Sequence, residues 1–365
     1  MYLKRLTIYN YKNIEEAFIS FSSNVNCLVG KNGEGKTNVL DAIYYLSFCK
    51  SSTNYSDSQV INHNADFFSL VGEYGGDENA EEKFFCSVKR QQRKVFKHND
   101  KEYEKLSAHI GKILLVQVSP NDQELILGGS ELRRKFMDLV ISQYDAEYLQ
   151  LLIRYRKALQ QRNSMLRSEN GFDEEVMAIY EYEMAQSGMA IYQKRKEFTD
   201  GFLPVFQRIY NELSKESEIV NIEYKSHAAE GDLLQLISSS RERDKIMGFS
   251  LKGVHRDELE LKLNDYPIKR EGSQGQNKTF LISMKLAQFD YLKEKGQRGM
   301  PILLLDDIFD KLDEYRVEQI VKMVSSNRFG QIFITDTNRD FMQKMLQKTG
   351  KEYRLYNVEN GKIEP

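Results

Sequence analysis

The chain has 365 residues, enough for two domains or for one domain carrying a large insertion. Its 52 Lys and Arg nearly balance its 54 Asp and Glu, so a polyanionic partner must be met by local basic patches and not by a global field. No apolar run has the length of a membrane span and no signal-peptide pattern opens the chain; three scattered cysteines exclude a disulfide framework or a paired-cysteine zinc site and fit a reducing cytoplasm.

In chain order, the first informative stretch is 25–48. Val25, Cys27, Leu28 and Val29 predict a buried strand, and Leu40, Ile43, Tyr44 and Leu46 recur at helical spacing over 38–48. Between them Gly30-Lys31-Asn32-Gly33-Glu34-Gly35-Lys36-Thr37 fits the phosphate-loop pattern G-x-x-x-x-G-K-[ST]. In such a turn the glycines let backbone N–H groups converge on phosphate oxygens, and the helix N-terminus adds partial positive charge. Lys36 is expected on the β and γ phosphates of ATP, Thr37 on Mg²⁺, and Asn38 beside the phosphates at the first turn of the helix.

Residues 86–103 read as a basic hairpin with Lys89, Arg90, Arg93, Lys94 and Lys97. From 128 to 217 the pattern is long helices. Ser130 can cap one that shows Leu132, Phe136, Leu139 and Val140 on a face. Leu149, Leu152, Ile153, Leu159 and Leu166 mark a second; Ile179, Met184, Ile191, Phe198, Phe202, Val205 and Ile209 mark a third, with a kink expected near Pro204. A second basic cluster spans Arg154, Arg156, Lys157 and Arg162, with Lys194, Arg195 and Lys196 further on. Each cluster is either a DNA contact or a solvated face. No recognition helix or zinc finger accompanies them, so DNA is expected to be held by its backbone, without base readout.

Ser273-Gln274-Gly275-Gln276 opens a further helix, striped by Phe280, Leu281, Met284, Leu286, Ala287 and Tyr291. The serine can cap it, and its N-terminus can hold an anion. Met300 to Asp307 is an apolar strand ending in two carboxylates, as suits the centre of a parallel sheet, where ligands bind at the carboxyl ends of strands. Asp306 is expected to hold Mg²⁺ through water, and Asp307 to orient or deprotonate the attacking water. A last apolar strand, 331–334, runs into Thr335-Asp336-Thr337.

The order of these parts resembles the SMC-type ATP-binding-cassette (ABC) ATPases. More specific text is similar to the RecF family: LTIYNYKNI, GKNGEGKTNVLDAIYYLS, VSPNDQELILGGSELRRKFMDLV, GVHRDELEL, SQGQNK and LLLDDIFDKLDEYR. The resemblance implies an α/β fold: an ABC-type P-loop ATPase head with an antiparallel β subdomain and an inserted helical arm. The head is expected over 1–127 and 218–365, the arm over 128–217. It also implies a slow, DNA-stimulated ATPase that dimerises with ATP on duplex DNA near single-strand gaps, and that works with RecR and RecO to load RecA. Ser273, Gly275 and Gln276 then complete the partner's ATP site in trans, and Asp313 lies in a loop crossing the dimer interface. Asp336 stands at the γ-phosphate switch, where histidine is common. Lys12 is expected at the nucleotide, and both it and Lys278 replace an arginine usual in the family. Ser119-Pro120-Asn121-Asp122 departs from the family's S-P-E-D, leaving Gln117 or Asn121 as the Q-loop metal contact. His255-Arg256-Asp257 matches a motif near the nucleotide face, or is a structural turn. The rival readings are a transporter cassette and a nuclease of the overcoming-lysogenization type, which needs an acidic domain after the head.

Overall fold

The structure, a computed structural model, describes residues 1–53, 55–76, 81–168, 171–214, 218–296, 298–309, 314–326 and 328–365. Strands β1 (Tyr2–Tyr11), β2 (Ile14–Ser20) and β3 (Val25–Val29) precede helix α1 (Lys36–Phe48). Then come β4 (Phe67–Gly75), β5 (Glu82–Lys89), β6 (Val95–His98), β7 (Lys101–Glu102) and β8 (Leu115–Val118). Helices α2 (Ser130–Tyr144), α3 (Ala146–Leu166) and α4 (Glu174–Leu213) follow, then β9 (Val220–Lys225), β10 (Glu258–Leu263), β11 (Tyr266–Pro267) and helix α5 (Gln274–Lys295). The chain closes with β12 (Ile302–Asp306), α6 (Glu314–Ser325), β13 (Ile332–Asp336), α7 (Arg339–Thr349), β14 (Tyr353–Glu359) and β15 (Lys362–Glu364).

Contacts gather Met1–Asp122 and Gln288–Pro365 into one compact unit and Gln123–Ala287 into another. Residues 218–287, expected with the head, thus pack with the helical arm, because β9 lies against α4 and β10 against α2.

The first unit holds two sheets. One is antiparallel, in the order β2-β1-β4-β5-β6-β7. The other runs β15-β14-β3-β13-β12-β8; its five strands from β14 to β8 are parallel, and β15 pairs antiparallel with β14. Every residue of β3, β12 and β13 is buried, which is why these strands read as largely apolar runs, with Asn26 the polar exception inside β3. The buried Gln331 amide stitches the two sheets together. It accepts from the Leu3 N–H at 2.8 Å and donates to the Leu3 and Ser22 carbonyls at 2.8 Å.

The second unit packs α2, α3 and α4 with a three-stranded sheet in the order β11-β10-β9. Asp173 caps α4 by accepting from the Glu175 and Val176 N–H groups, and the helix continues through Pro204 as one element of 40 residues. Met184, Ile191, Phe198, Phe202 and Ile209 are buried as expected, but Ile179 is exposed. On α3 the buried stripe is Tyr148, Leu152, Tyr155, Ala158, Arg162 and Leu166; Ile153 is exposed. Leu152 and Leu166 are buried as expected, and tyrosines with bonded hydroxyls and a paired arginine fill the rest of the stripe.

That pairing overturns part of the second basic cluster. Arg162 is fully buried, bonding Glu181 at 3.0 Å, Asp244 at 2.7 Å and the Ser250 hydroxyl at 2.7 Å. Arg195 is buried too, on Asp138 at 2.9 Å and Asp257 at 2.6 Å. A desolvated guanidinium is kept only with such partners, so neither residue is available to DNA.

Candidate nucleotide site

The register of the parallel sheet assembles the site. β3 and β13 pair Val29 with Asp336, β13 and β12 pair Thr335 with Asp306, and β12 and β8 pair Leu304 with Gln117. The glycine loop, both carboxylates and the Gln117 strand therefore meet at neighbouring carboxyl ends of one sheet, where ligands of α/β folds bind.

Helix α1 begins straight after the loop, with Gly35 as its N-cap at φ +118°. It has no side-chain cap and no acid in its first turn, so its leading N–H groups and dipole are left for an anion. Gly33, at φ +87°, has open space where a Cβ would stand. Lys36 is buried and folds back on its own loop, donating to the Gly30 carbonyl at 2.6 Å and the Lys31 carbonyl at 2.8 Å. Burial pulls its ammonium below the ordinary value, against Asp307, Asp306, Asp336 and Glu34, which favour the charged form.

The Thr37 hydroxyl donates to Asp306 Oδ1 at 2.9 Å, and the Thr335 hydroxyl donates to the same oxygen at 2.7 Å. Burial raises the Asp306 carboxyl, the two hydroxyls oppose the rise, and the adjacent Asp307 adds to it. Asp307 has φ +50°, its N–H donates to Thr335 Oγ1 at 2.9 Å, and its buried Oδ1 has no hydrogen-bond partner among the described residues. An uncapped helix end, a loop lysine, a hydroxyl on a buried carboxylate and an unsatisfied carboxylate oxygen form a donor set that fits a nucleotide triphosphate with Mg²⁺.

Other expected residues are placed as follows. Asn32 lies exposed in the loop. Asn38 donates from its amide to Asn13 Oδ1 at 2.7 Å. Glu34 faces the β14–β15 turn: its carbonyl accepts from the Gly361 N–H at 2.8 Å and its carboxylate from the Asn360 N–H. Lys12, at φ +53°, is ion-paired with Asp41 of α1 at 2.7 Å. The Asp41 carboxylate also accepts from the Tyr11 hydroxyl at 2.7 Å and from the Ser51 and Ser52 hydroxyls at 2.8 and 2.6 Å. Burial pushes that carboxyl up, but Lys12 and the hydroxyls outweigh it and leave it below the usual range. Asp336 accepts from the Asn338 N–H at 2.7 Å, and its carbonyl accepts from the Gly30 N–H at 3.3 Å. Gln117 is half-buried on β8, whereas Asn121 is exposed in the turn that follows. Asp313 lies outside the described residues.

In the second unit Ser273 is exposed at the head of α5. Its hydroxyl accepts from the Gln276 N–H at 3.2 Å while its own N–H donates to Gln276 Oε1 at 2.7 Å, a reciprocal capping box. One turn on, the Gly275 carbonyl accepts from the Thr279 hydroxyl at 2.9 Å. His255 is hydrogen-bonded to the Tyr155 hydroxyl at 2.7 Å and the Ser250 carbonyl at 3.0 Å, and Asp257 binds Arg195. This motif is a structural turn lashing β10 to α3 and α4.

Among the basic residues, Arg154 and Arg156 are exposed with ion pairs to Glu183 at 3.5 Å and Asp138 at 3.2 Å, and Lys157 is exposed. Arg90 donates to the Ala65 and Ser58 carbonyls and Arg93 to the Glu104 carbonyl, all from exposed positions. Lys94 turns inward onto Asp57 at 2.8 Å and over the Tyr45 ring at 4.8 Å.

Sequence reasoning missed Asn13, whose amide donates to the Gly33 carbonyl at 3.3 Å, and the roles of Thr335 and of the Asn360-Gly361 turn. Only the polar Thr335 closing an apolar strand offered a signal.

The chain matches the RecF/RecN/SMC N-terminal domain family over residues 2–364. It is 59% identical to the DNA replication and repair protein RecF of Phocaeicola vulgatus over 363 residues, covering 100% of this chain and 98% of that one. RecF of Bacteroides thetaiotaomicron is 56% identical, with the same coverage. The solved structure of the recombination mediator protein RecF with ATP, in the RecFOR pathway, has a TM-score of 0.90 at 27% identity, covering 100% of this chain and 97% of that one. The Smc head of Pyrococcus furiosus shares the fold, with a TM-score of 0.56 at 17% identity over 100% of this chain and 95% of its own.

Proposed function

The chain belongs to the RecF family of DNA replication and repair proteins, and from that premise we propose that it is an ATP-dependent DNA-binding switch. The observation that carries this reading is the Thr37–Asp306–Thr335–Asp307 chain of hydrogen bonds beside the glycine loop. Lys36 and the first N–H groups of α1 bind the phosphates, and Lys36 must leave the Gly30 and Lys31 carbonyls to do so. Thr37 and Asp306 hold Mg²⁺, with Gln117, on the strand that pairs with that of Asp306, as the Q-loop contact; the metal, when bound, neutralises phosphate charge. Asp307 orients the attacking water or takes its proton, since its free oxygen is a ready acceptor.

ATP binding drives homodimerisation on duplex DNA near single-strand gaps, and hydrolysis, slow and DNA-stimulated, resets it. Ser273, Gly275 and Gln276 contribute a second helix N-terminus to the partner's nucleotide, Asp313 crosses the interface, and Asp336 senses the γ-phosphate. RecR and RecO cooperate downstream to load RecA. The three free, buried cysteines support a cytoplasmic setting, and no described helix is long and apolar enough to cross a membrane.

The test is mass in solution. ATP with duplex DNA is expected to convert monomer to dimer, and Lys36→Ala to abolish the conversion. A mass that ignores ATP in the parent chain would remove the switch reading.

A further inference from the structure

Glu34 puts a carboxylate between Gly33 and Gly35, in a loop whose glycines, lysine and uncapped helix end all suit an anion. It lies close enough to Lys36 to favour that ammonium's charged form, so toward a bound phosphate it is a charge of the wrong sign. The β14–β15 hairpin engages it. These strands pair Glu359 with Lys362 across a two-residue turn, Asn360-Gly361, whose φ values are both positive, +50° and +79°. Asn-Gly is the pair that such a turn favours, and the strand pairing leaves the N–H groups of its two central residues open to another acceptor. Both meet Glu34: the Asn360 N–H donates to its carboxylate, and the Gly361 N–H to its carbonyl at 2.8 Å. The turn is wedged in place. A Cβ at Gly361 would collide with the Asn13 carbonyl oxygen, and one at Gly30 with the Val358 carbonyl oxygen. Asn13 in turn donates to the Gly33 carbonyl at 3.3 Å, so the hairpin, the β1–β2 turn and the glycine loop hold one another without slack.

We propose that the Asn360-Gly361 turn is a positioning element of the phosphate site: by holding the Glu34 carboxylate it keeps that negative charge off the incoming nucleotide. The bond to the Glu34 carbonyl shapes the loop, and the bond to the carboxylate restrains a charge that would otherwise oppose Lys36. The proposal rests on the ATP reading of the glycine loop and adds to it a function for the hairpin that lies beside β3.

Two substitutions separate charge from shape. Glu34→Asp keeps the charge on a side chain one methylene too short to reach the turn. Glu34→Ala removes the charge and the reach together, and in both the Gly361 N–H keeps its backbone acceptor. Glu34 is half-buried in a loop, so neither change disturbs the sheet. ATP affinity is measured by titration calorimetry at low and high salt, as a ratio to the parent chain. Glu34→Asp is expected to bind roughly tenfold more weakly at low salt, the effect of one unit charge on another about 12 Å away at an effective dielectric constant near 20, and the deficit should shrink in high salt. Glu34→Ala is expected to bind roughly two- to fivefold more tightly than the parent, because the residual repulsion is gone. A turn that acted by shape alone would give the reverse for Glu34→Ala, a loss of affinity that salt does not change. That result, or parental affinity in Glu34→Asp, overturns the positioning role while leaving the ATP reading intact. Failure of the parent chain to bind ATP in a Lys36-dependent way overturns both.

Discussion

Replacing Asp307 is expected to stabilise the protein while stopping hydrolysis. Its backbone sits in the left-handed region at φ +50°, a conformation that strains a non-glycine residue by about 1–2 kcal/mol, less for aspartate than for most. Its Oδ1 is buried without a partner among the described residues, and such an atom costs about 1–3 kcal/mol. A second carboxylate, Asp306, is its immediate neighbour and is itself buried. Asp307→Gly relieves all three at once, against about 0.5–1 kcal/mol of extra chain entropy in the unfolded state. A net gain of about 1–2 kcal/mol raises the melting temperature of a unit of this size by roughly 2–8 °C. Asp307→Asn keeps the shape, tolerates the left-handed backbone and removes the charge, so it gains less. Scanning calorimetry of the nucleotide-free protein measures the gain, and phosphate release measures turnover. Both variants should bind ATP and neither should hydrolyse it. A lower melting temperature for Asp307→Gly would refute the strain argument, and parental turnover in Asp307→Asn would refute the assignment of the water-activating group.

DNA affinity should fall with salt regardless of sequence, and replacing Arg154, Arg156 and Lys157 with Ala should flatten the log–log salt slope by up to about 2.7, or Arg90 and Arg93 by up to about 1.8, at about 0.9 per lost phosphate contact. Unchanged slopes in both sets would place the DNA surface elsewhere. Arg162→Met should leave that slope alone and instead destabilise the second unit by about 3–5 kcal/mol in denaturant melts, because Asp244 is left buried without its cation while Glu181 keeps only Arg241. Acid should weaken both units below neutral pH. Burial holds His109 and His255 down to about 4 from an ordinary 6.5, so the unfolded chain takes up protons first as pH falls. Stability present above about pH 6.5 is therefore lost toward pH 4, about 2 kcal/mol per histidine by pH 5, and His109→Gln should remove that share of the pH slope in denaturant titrations. The raised carboxyls of Asp306 and Asp257 act in the opposite sense, so the comparison is between variant and parent; an identical slope in the two would contradict the buried neutral histidine.

What could be read from the chain was local or strongly patterned. The phosphate loop announces itself because its glycines, lysine and threonine are contiguous and must lie between a strand and a helix. β12 is legible because a strand buried on both faces has no polar residue until its ligand end. Residues whose partners are remote in sequence were not legible. Asn13, in the turn between β1 and β2, reaches Gly33 only through the fold, and Glu34 meets Asn360 only after the sheet has brought β14 beside β3. Arg162 and Arg195 look like members of a basic surface because Glu181, Asp244, Asp138 and Asp257, which neutralise them, are scattered over four segments of the chain. Tyr148 and Tyr155, which share the buried stripe of α3 with Leu152 and Leu166, escaped notice for a similar reason: their hydroxyls find Asp138 and His255, which lets tyrosine occupy a core position.

Completion of the ATP site by a second copy is tested most directly by mixing two inactive chains. Lys36→Ala lacks the phosphate grip, and Ser273→Arg blocks the exposed helix end proposed to meet the partner's nucleotide; each alone should hydrolyse no ATP. A dimer of the two carries both defects in one site and neither in the other. With random assortment about half the dimers are mixed, so roughly a quarter of parental activity should return, with dimer formation followed in the same samples. Recovery of both dimer and turnover is the predicted result. Mixed chains that form no dimer and regain no turnover would contradict a site shared between two copies.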